Sequence, residues 1–309
     1  MPRARGRPVD RLGVCARTAV VDVEDAAAAL QTGRVGTIPA AGLPTDEIRV
    51  EGLRFTYPGG GSVVYDGLDL RIEAGQSLAI VGLNGAGKTT LAKLIAGLEL
   101  PQAGRISVDG IDLADLDPTS WRRSVAAIFQ EFVHYDLPAW DNIGFGAVEA
   151  LHDADADQRA AEAAERAGAG GILARLPDGL ATPLSPGFAG GVDLSGGQWQ
   201  RIALARAMAA VRAGARLLIL DEPTAQLDVR AEADIYDRFL DLTRGLTTIV
   251  ISHRFSTVRH ADRIVVLDAG RISEDGRHDE LIAAGGEYAR LFDSQAMRYT
   301  DSAPTPEHR

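Results

Sequence analysis

The chain has 309 residues, room for one large or two modest domains. Hydrophobic residues make up 46% and charged residues 24%, which excludes a long disordered polymer, and only 6% are aromatic, so the core must be mostly Ala, Val, Leu and Ile. The formal net charge of −11 opposes broad electrostatic binding to nucleic acid, although residues 1–17 hold five Arg against one Asp.

Residues 1–46 read as an N-terminal arm or linker. They open on Pro and Arg, cross an Ala-rich stretch around Glu24–Gln31 with helical propensity, and end in Gly- and Pro-containing sequence up to Pro44. A flexible or docking arm is the plain reading; a basic arm touching an anionic membrane surface is the sharper one. Cys15 is the single cysteine, which excludes an internal disulfide and fits a reducing compartment. No apolar h-region follows the Arg-rich start, and no apolar run approaches the ~18 residues of a membrane helix. The expected setting is cytoplasmic.

From Ile48 the text turns strand-like. Ile48, Val50 and Leu53 alternate with polar residues, Pro58-Gly59-Gly60-Gly61 forms a turn, and Val63–Ile72 reads as a second strand. Ser77–Val81 is a short apolar strand entering a glycine loop and a helix, Lys88–Ala96. Strands follow at Arg105–Val108 and Val125–Phe129. From about Glu131 to Gly214 the composition is helical. Ala156–Ala167 is a strong helix with Asp155 placed to cap it, and Gln198–Val211 is another. Leu217–Leu220, Arg230–Thr243, Thr248–Ile251 and Arg263–Leu267 then alternate strand and helix, the pattern of parallel strands with helical crossovers. His278–Met297 reads as a terminal helix. No internal repeat or extended low-complexity segment interrupts the chain. The predicted fold class is α/β, a core sheet of parallel strands with an N-terminal antiparallel β subdomain and an inserted α-helical subdomain. The expected boundaries are 1–46 for the arm, 47–297 for the α/β domain with 131–214 as its helical part, and 298–309 for a tail.

Gly82-Leu83-Asn84-Gly85-Ala86-Gly87-Lys88-Thr89, followed by Thr90, matches the phosphate-loop pattern G-x-x-x-x-G-K-[ST] with a strand before it and a helix after it. Its glycines free backbone N–H groups to face phosphate oxygens, and the helix start adds its dipole. Lys88 is expected on the β- and γ-phosphates of a nucleotide and Thr89 on Mg²⁺. In Leu217–Pro223 four apolar residues lead to Asp221 and Glu222, at the strand end where open α/β sheets place ligands. Asp221 suits a Mg²⁺ site, and Glu222 suits a base that orients and deprotonates water. Leu194-Ser195-Gly196-Gly197-Gln198 makes a second anion-binding helix start: Ser195 caps, Gly196 and Gly197 remove side chains, and Gln198 can donate hydrogen bonds.

On these residues the chain resembles the ATP-binding cassette (ABC) ATPases, whose signature motif is Leu194–Gln198 as it stands. The resemblance covers about residues 47–297, which it implies are an ABC ATPase domain with a P-loop NTPase fold and a RecA-like core sheet. It implies a head-to-tail dimer, homomeric or heteromeric, with each ATP held between the phosphate loop of one subunit and the signature helix of the other. It also implies that Tyr57 stacks on adenine, that Gln130 is a Mg²⁺ and water ligand facing the transport partner, that His253 touches the γ-phosphate, and that Asp228 crosses the dimer interface. Gln226 stands where the family more often has a small residue. Ile128–Phe132, Asp141-Asn142-Ile143 and Gly190–Asp193 are similar to exporter-type cassettes, in which one chain usually carries membrane helices ahead of the cassette. The resemblance thus implies an ATPase at the cytoplasmic face of a membrane, energising export through a membrane domain on a separate chain. The competing readings are a soluble, non-transport ABC ATPase, which the acidic balance opposes, and an uncoupled fragment of an exporter.

Overall fold

The structure is a computed structural model and describes residues 36–59, 61–151, 153–222, 243–252 and 255–301. Two sheets organise them. The first is antiparallel, in the order β2-β1-β4-β5, from β1 (Glu47–Phe55), β2 (Tyr65–Glu73), β4 (Ala103–Val108) and the short β5 (Ile111–Asp112). Ile48, Val50, Leu53 and Phe55 are buried on one face of β1, the period-two pattern of a half-buried strand. The second sheet runs β10-β9-β3-β8-β7-β6, from β3 (Ser77–Val81), β6 (Val125–Ile128), β7 (Leu217–Asp221), β8 (Thr247–Ile251), β9 (Arg263–Asp268) and β10 (Arg271–Gly276). β6, β7, β8, β3 and β9 are mutually parallel and β10 returns antiparallel to β9.

Strand parity divides the central sheet between cores. Leu78 and Ile80, Leu217 and Ile219, Ile249 and Ile251, and Val265 and Leu267 face the core shared with the antiparallel sheet, helix α1 (Lys88–Ile95) and Trp121 of α2 (Pro118–Arg123). Leu218, Leu220 and Val250 face the opposite way, into a helical block. That block contains α3 (Ala139–Gly144), a 3₁₀ segment (Phe145–Ala150), α4 (Ala156–Arg166), α5 (Gly170–Leu173) and α6 (Gly196–Arg212). Its interior is rich in alanine: Ala160, Ala163 and Ala164 of α4 and Ala203, Ala205 and Ala207 of α6 are all buried, so small side chains replace the missing aromatics. Ala79, Val81, Ile264 and Val266 form a third cluster with Leu281 and Tyr288 of the C-terminal helices.

Several sequence expectations shift. The second strand begins at Tyr65 rather than Val63, which is 64% exposed. The terminal helix is two helices, α8 (His278–Ala284) and α9 (Glu287–Asp301), after the short α7 (Phe255–Val258); Gly285 takes a left-handed φ of 63° at the break. Asp155 occupies the N-cap position of α4 without a capping hydrogen bond, because its carboxylate pairs with Arg159 at 2.6 Å. The helix expected at Arg230–Thr243 lies outside the described residues apart from Thr243. Among the described residues no helix is long and apolar enough to cross a membrane.

Candidate functional site

Strand order explains the site. In the sequence β3-β8-β7-β6, each of four adjacent parallel strands ends level with its neighbour: Ile80 pairs with Ile251, Asp221 with Ile251, and Ile128 with Leu220. The phosphate loop follows β3, Asp221 and Glu222 close β7, Gln130 follows β6, and Ser252 follows β8. Residues more than a hundred positions apart thus share one sheet edge, the edge where parallel α/β sheets bind ligands.

The loop's geometry requires glycine at its start and finish. Gly82 has φ 148°, and a Cβ there would lie 2.1 Å from the Leu267 carbonyl oxygen on β9. Gly87 has φ 103°, and a Cβ would lie 2.6 Å from the Tyr65 hydroxyl, which donates to the Gly87 carbonyl at 2.5 Å. Tyr65 is fully buried, and burial pushes its hydroxyl well above the usual tyrosine value, so it stays a donor. Nothing in its sequence context marked Tyr65; it is recognisable only as a buried β2 residue once the loop lies over it. Between the two glycines, Asn84 and Gly85 are exposed.

Lys88 is 7% exposed, and its ammonium donates to the Gly82 and Leu83 carbonyls, both at 2.9 Å. Burial lowers its pKa, while the charges of Glu222 and Asp221 pull it back up. Asp221 is 0% exposed and neither carboxylate oxygen finds a hydrogen-bond partner at normal geometry. Burial raises its pKa, the nearby Thr89 hydroxyl lowers it, and Glu222 raises it further. A buried, unpartnered carboxylate beside a hydroxyl and within the field of a lysine is the donor set a hard divalent cation suits. Glu222 is half-buried and takes a left-handed φ of 47°, with its N–H donating to Ile251 at 2.8 Å. A non-glycine residue held in that conformation is stored strain of the kind found at active sites.

Tyr57 follows β1 beside the loop. It is 37% exposed, its ring meets Phe55 edge-on at 5.0 Å, and its hydroxyl lies 3.1 Å from the Thr90 hydroxyl. That bond ties Tyr57 to the helix behind the phosphate loop and gives Thr90 a partner within the chain. Gln130 is exposed at the end of β6.

Ser195–Gln198 open α6, which belongs to the helical core, whereas α1 belongs to the sheet core. Gln198 accepts from the Ser195 N–H at 2.8 Å, so its amide oxygen is used in capping the helix while Ser195 is exposed and Gly196 and Gly197 are half-exposed. His253 and Asp228 lie outside the described residues. Sequence reading missed the two aromatic residues that join this helix to the Gln130 strand end: His134 stacks on Trp199 with centroids 4.2 Å apart and planes 3° apart. An aromatic beside the signature glutamine was the available signal, without meaning until its partner was placed.

A family model described as ABC transporter matches residues 65–225, more than half of the chain. The chain is 41% identical over 249 residues to a mycobactin import ATP-binding/permease protein of Mycolicibacterium thermoresistibile, covering 80% of this chain and 41% of that protein. It is 40% identical over 258 residues to an ATP-dependent lipid A-core flippase of Chromobacterium violaceum, covering 83% and 42%. Among solved structures it matches a bacterial Atm1-family ABC exporter with ATP bound, with TM-score 0.75 and 32% identity over 97% of this chain and 51% of that one. The chain therefore spans about two fifths of the curated relatives and half of the solved exporter chain. By its motifs, its strand-end geometry and these matches, the chain belongs to the ABC transporter family, as a P-loop ATPase cassette of exporter type.

Proposed function

We propose that the chain binds and hydrolyses ATP to drive transport through a membrane domain, with residues 47–297 as the cassette and 131–214 as its helical arm. The level ends of β3, β8, β7 and β6 carry this reading, because they bring Lys88, Thr89, Asp221, Glu222 and Gln130 to one edge.

Backbone N–H groups of Gly82–Thr89 and the Lys88 ammonium hold the phosphates. Tyr57 stacks on adenine, its hydroxyl held by Thr90. Thr89, Asp221 and Gln130 would hold Mg²⁺, which supplies charge neutralisation on the phosphates. Glu222 takes a proton from the attacking water, and its fixed backbone sets the direction of attack. His253 and Asp228 complete the reading from the sequence, at the γ-phosphate and the dimer interface. Ser195, Gly196, Gly197 and Gln198 serve the ATP of a second cassette, like or unlike this one. Separate cores for the signature helix and the phosphate loop support a sandwich of that kind. The motion passes through the Gln130 region to the membrane domain, which places the cassette at the cytoplasmic face. Co-purification with an integral membrane protein tests the separate-chain form of the membrane partner.

The test of the chemistry is Glu222→Gln. It retains ATP, loses turnover by about 10²–10⁴-fold, the range for removing a general base, and accumulates an ATP-dependent dimer. Undiminished ATPase activity in that variant removes Glu222 from the role of base.

A further inference from the structure

The segment after Gln130 is bolted to the signature helix at two points. At the first, the His134 imidazole lies flat on the Trp199 indole, and the Phe132 ring leans on His134, tilted, with centroids 5.2 Å apart. Trp199 is 3% exposed and follows the last residue of the signature, whereas His134 keeps an exposed edge. At the second, the Arg206 guanidinium sits 4.9 Å over the Tyr135 ring and donates to the Asn142 carbonyl at 2.8 Å and the Val133 carbonyl at 3.4 Å. Asn142 in turn ties the segment into a tight bend, its amide donating to the carbonyls of Tyr135 and Leu137 at 3.0 Å. Carbonyl oxygens and an aromatic face thus balance the half-buried Arg206 charge.

Trp199 and Arg206 are seven residues apart on α6, nearly two full turns, so both project from one face of the helix. That face meets a loop that begins two residues after Gln130. The first bolt lies about one turn from Ser195, whose carbonyl accepts from the Trp199 N–H. Displacing Gln130 along the chain therefore pulls on the helix start that faces the second nucleotide, and the reverse also holds.

We propose that His134 and Trp199, with Arg206 as the second anchor, are positioning residues that make the Gln130 loop and the signature helix start move as one body when two cassettes close on ATP. The proposal rests on the sandwich reading given above. It places neither ring on the nucleotide. Loss of the stack leaves the phosphate loop intact, so ATP binding by a single subunit is unaffected. What suffers is presentation of Ser195–Gln198 to the partner's ATP. The loss occurs once in each subunit, and an aromatic pair contributes enough for the combined effect to reach about tenfold.

The experiment uses the full chain in a Glu222→Gln background. Light scattering reads the ATP concentration for half-dimerisation, and a fluorescent ATP analogue, at protein concentrations below dimerisation, reads affinity in the single subunit. His134→Ala raises the dimerisation midpoint about tenfold with unchanged analogue affinity, and His134→Phe, which can still stack, restores the midpoint. A His134→Ala midpoint equal to the parent's, or a His134→Phe midpoint equal to that of His134→Ala, overturns the proposal while leaving the sandwich standing. A fall in analogue affinity equal to the midpoint shift also overturns it, by moving the effect to the phosphate loop. A parent that stays monomeric at saturating ATP overturns the sandwich and this proposal together.

Discussion

Replacing Asp221 with asparagine separates function from stability. The carboxylate is fully buried and neither oxygen has a hydrogen-bond partner at normal geometry, so at the end of β7 the nucleotide-free fold carries a charge that the nearby Thr89 hydroxyl and the Lys88 ammonium offset only in part. Leaving a buried polar group unsatisfied costs about 1–3 kcal/mol, more if it is charged. Asparagine keeps a polar group in place but removes the charge, so about 1–2 kcal/mol of that cost is recovered. At about 2–4 °C per kcal/mol for a domain of this size, the melting temperature rises by ~2–8 °C. The assay is thermal unfolding at neutral pH with chelator and no nucleotide, followed by the same scan with Mg²⁺ and ATP. A ligand at a hundred times its Kd adds about 2.7 kcal/mol to the native state. The parent chain receives that gain and the asparagine variant, which lacks the proposed metal ligand, receives little, so the order of the two melting temperatures inverts. An asparagine variant that melts below the parent in chelator would refute the reasoning, because it would mean that Thr89 and Lys88 compensate the Asp221 charge fully in the empty fold.

Gly82→Ala is expected to cost at least ~3 kcal/mol in a denaturant titration. It adds the strain of a left-handed non-glycine residue to a 2.1 Å clash with a strand carbonyl that cannot swing aside. A loss of ATP binding without loss of stability would show that the clash is relieved. Asp109 accepts from the N–H groups of Thr45, Asp46 and Glu47 and from the Thr45 hydroxyl, pinning the linker to the antiparallel sheet. Burial raises its pKa, but these bonds outweigh burial and hold it below the usual aspartate value. A lowered folded pKa contributes stability above the unfolded value of about 3.9, lost as pH falls through the folded one. Asp109→Asn is accordingly about 1–2 kcal/mol less stable at neutral pH and lacks that part of the acid transition; an unchanged acid titration would contradict the assignment.

The three motif segments were legible as local structure because each is a short contiguous run with particular residues in order: glycines where backbone must turn tightly, a lysine and a hydroxyl at a helix start, two acids where an apolar strand ends. The β/α alternation after Leu217 was legible for the same local reason. The errors were also local. A one-dimensional reading put Val63 in a strand, ran His278–Met297 through Gly285, and gave Asp155 to the helix cap when Arg159 was within reach.

By itself the sequence determined the phosphate loop, the acidic strand end and the signature helix start, because backbone access, charge and side-chain type are encoded within a few consecutive residues. Only the tertiary structure decided which strands lie side by side. That order brings Gln130, Asp221 and Lys88 to one edge, seats Tyr65 beneath the loop, and lays His134 on Trp199. Those contacts join residues up to about a hundred or more positions apart, and their partners are selected by strand pairing and core packing, which no local pattern records.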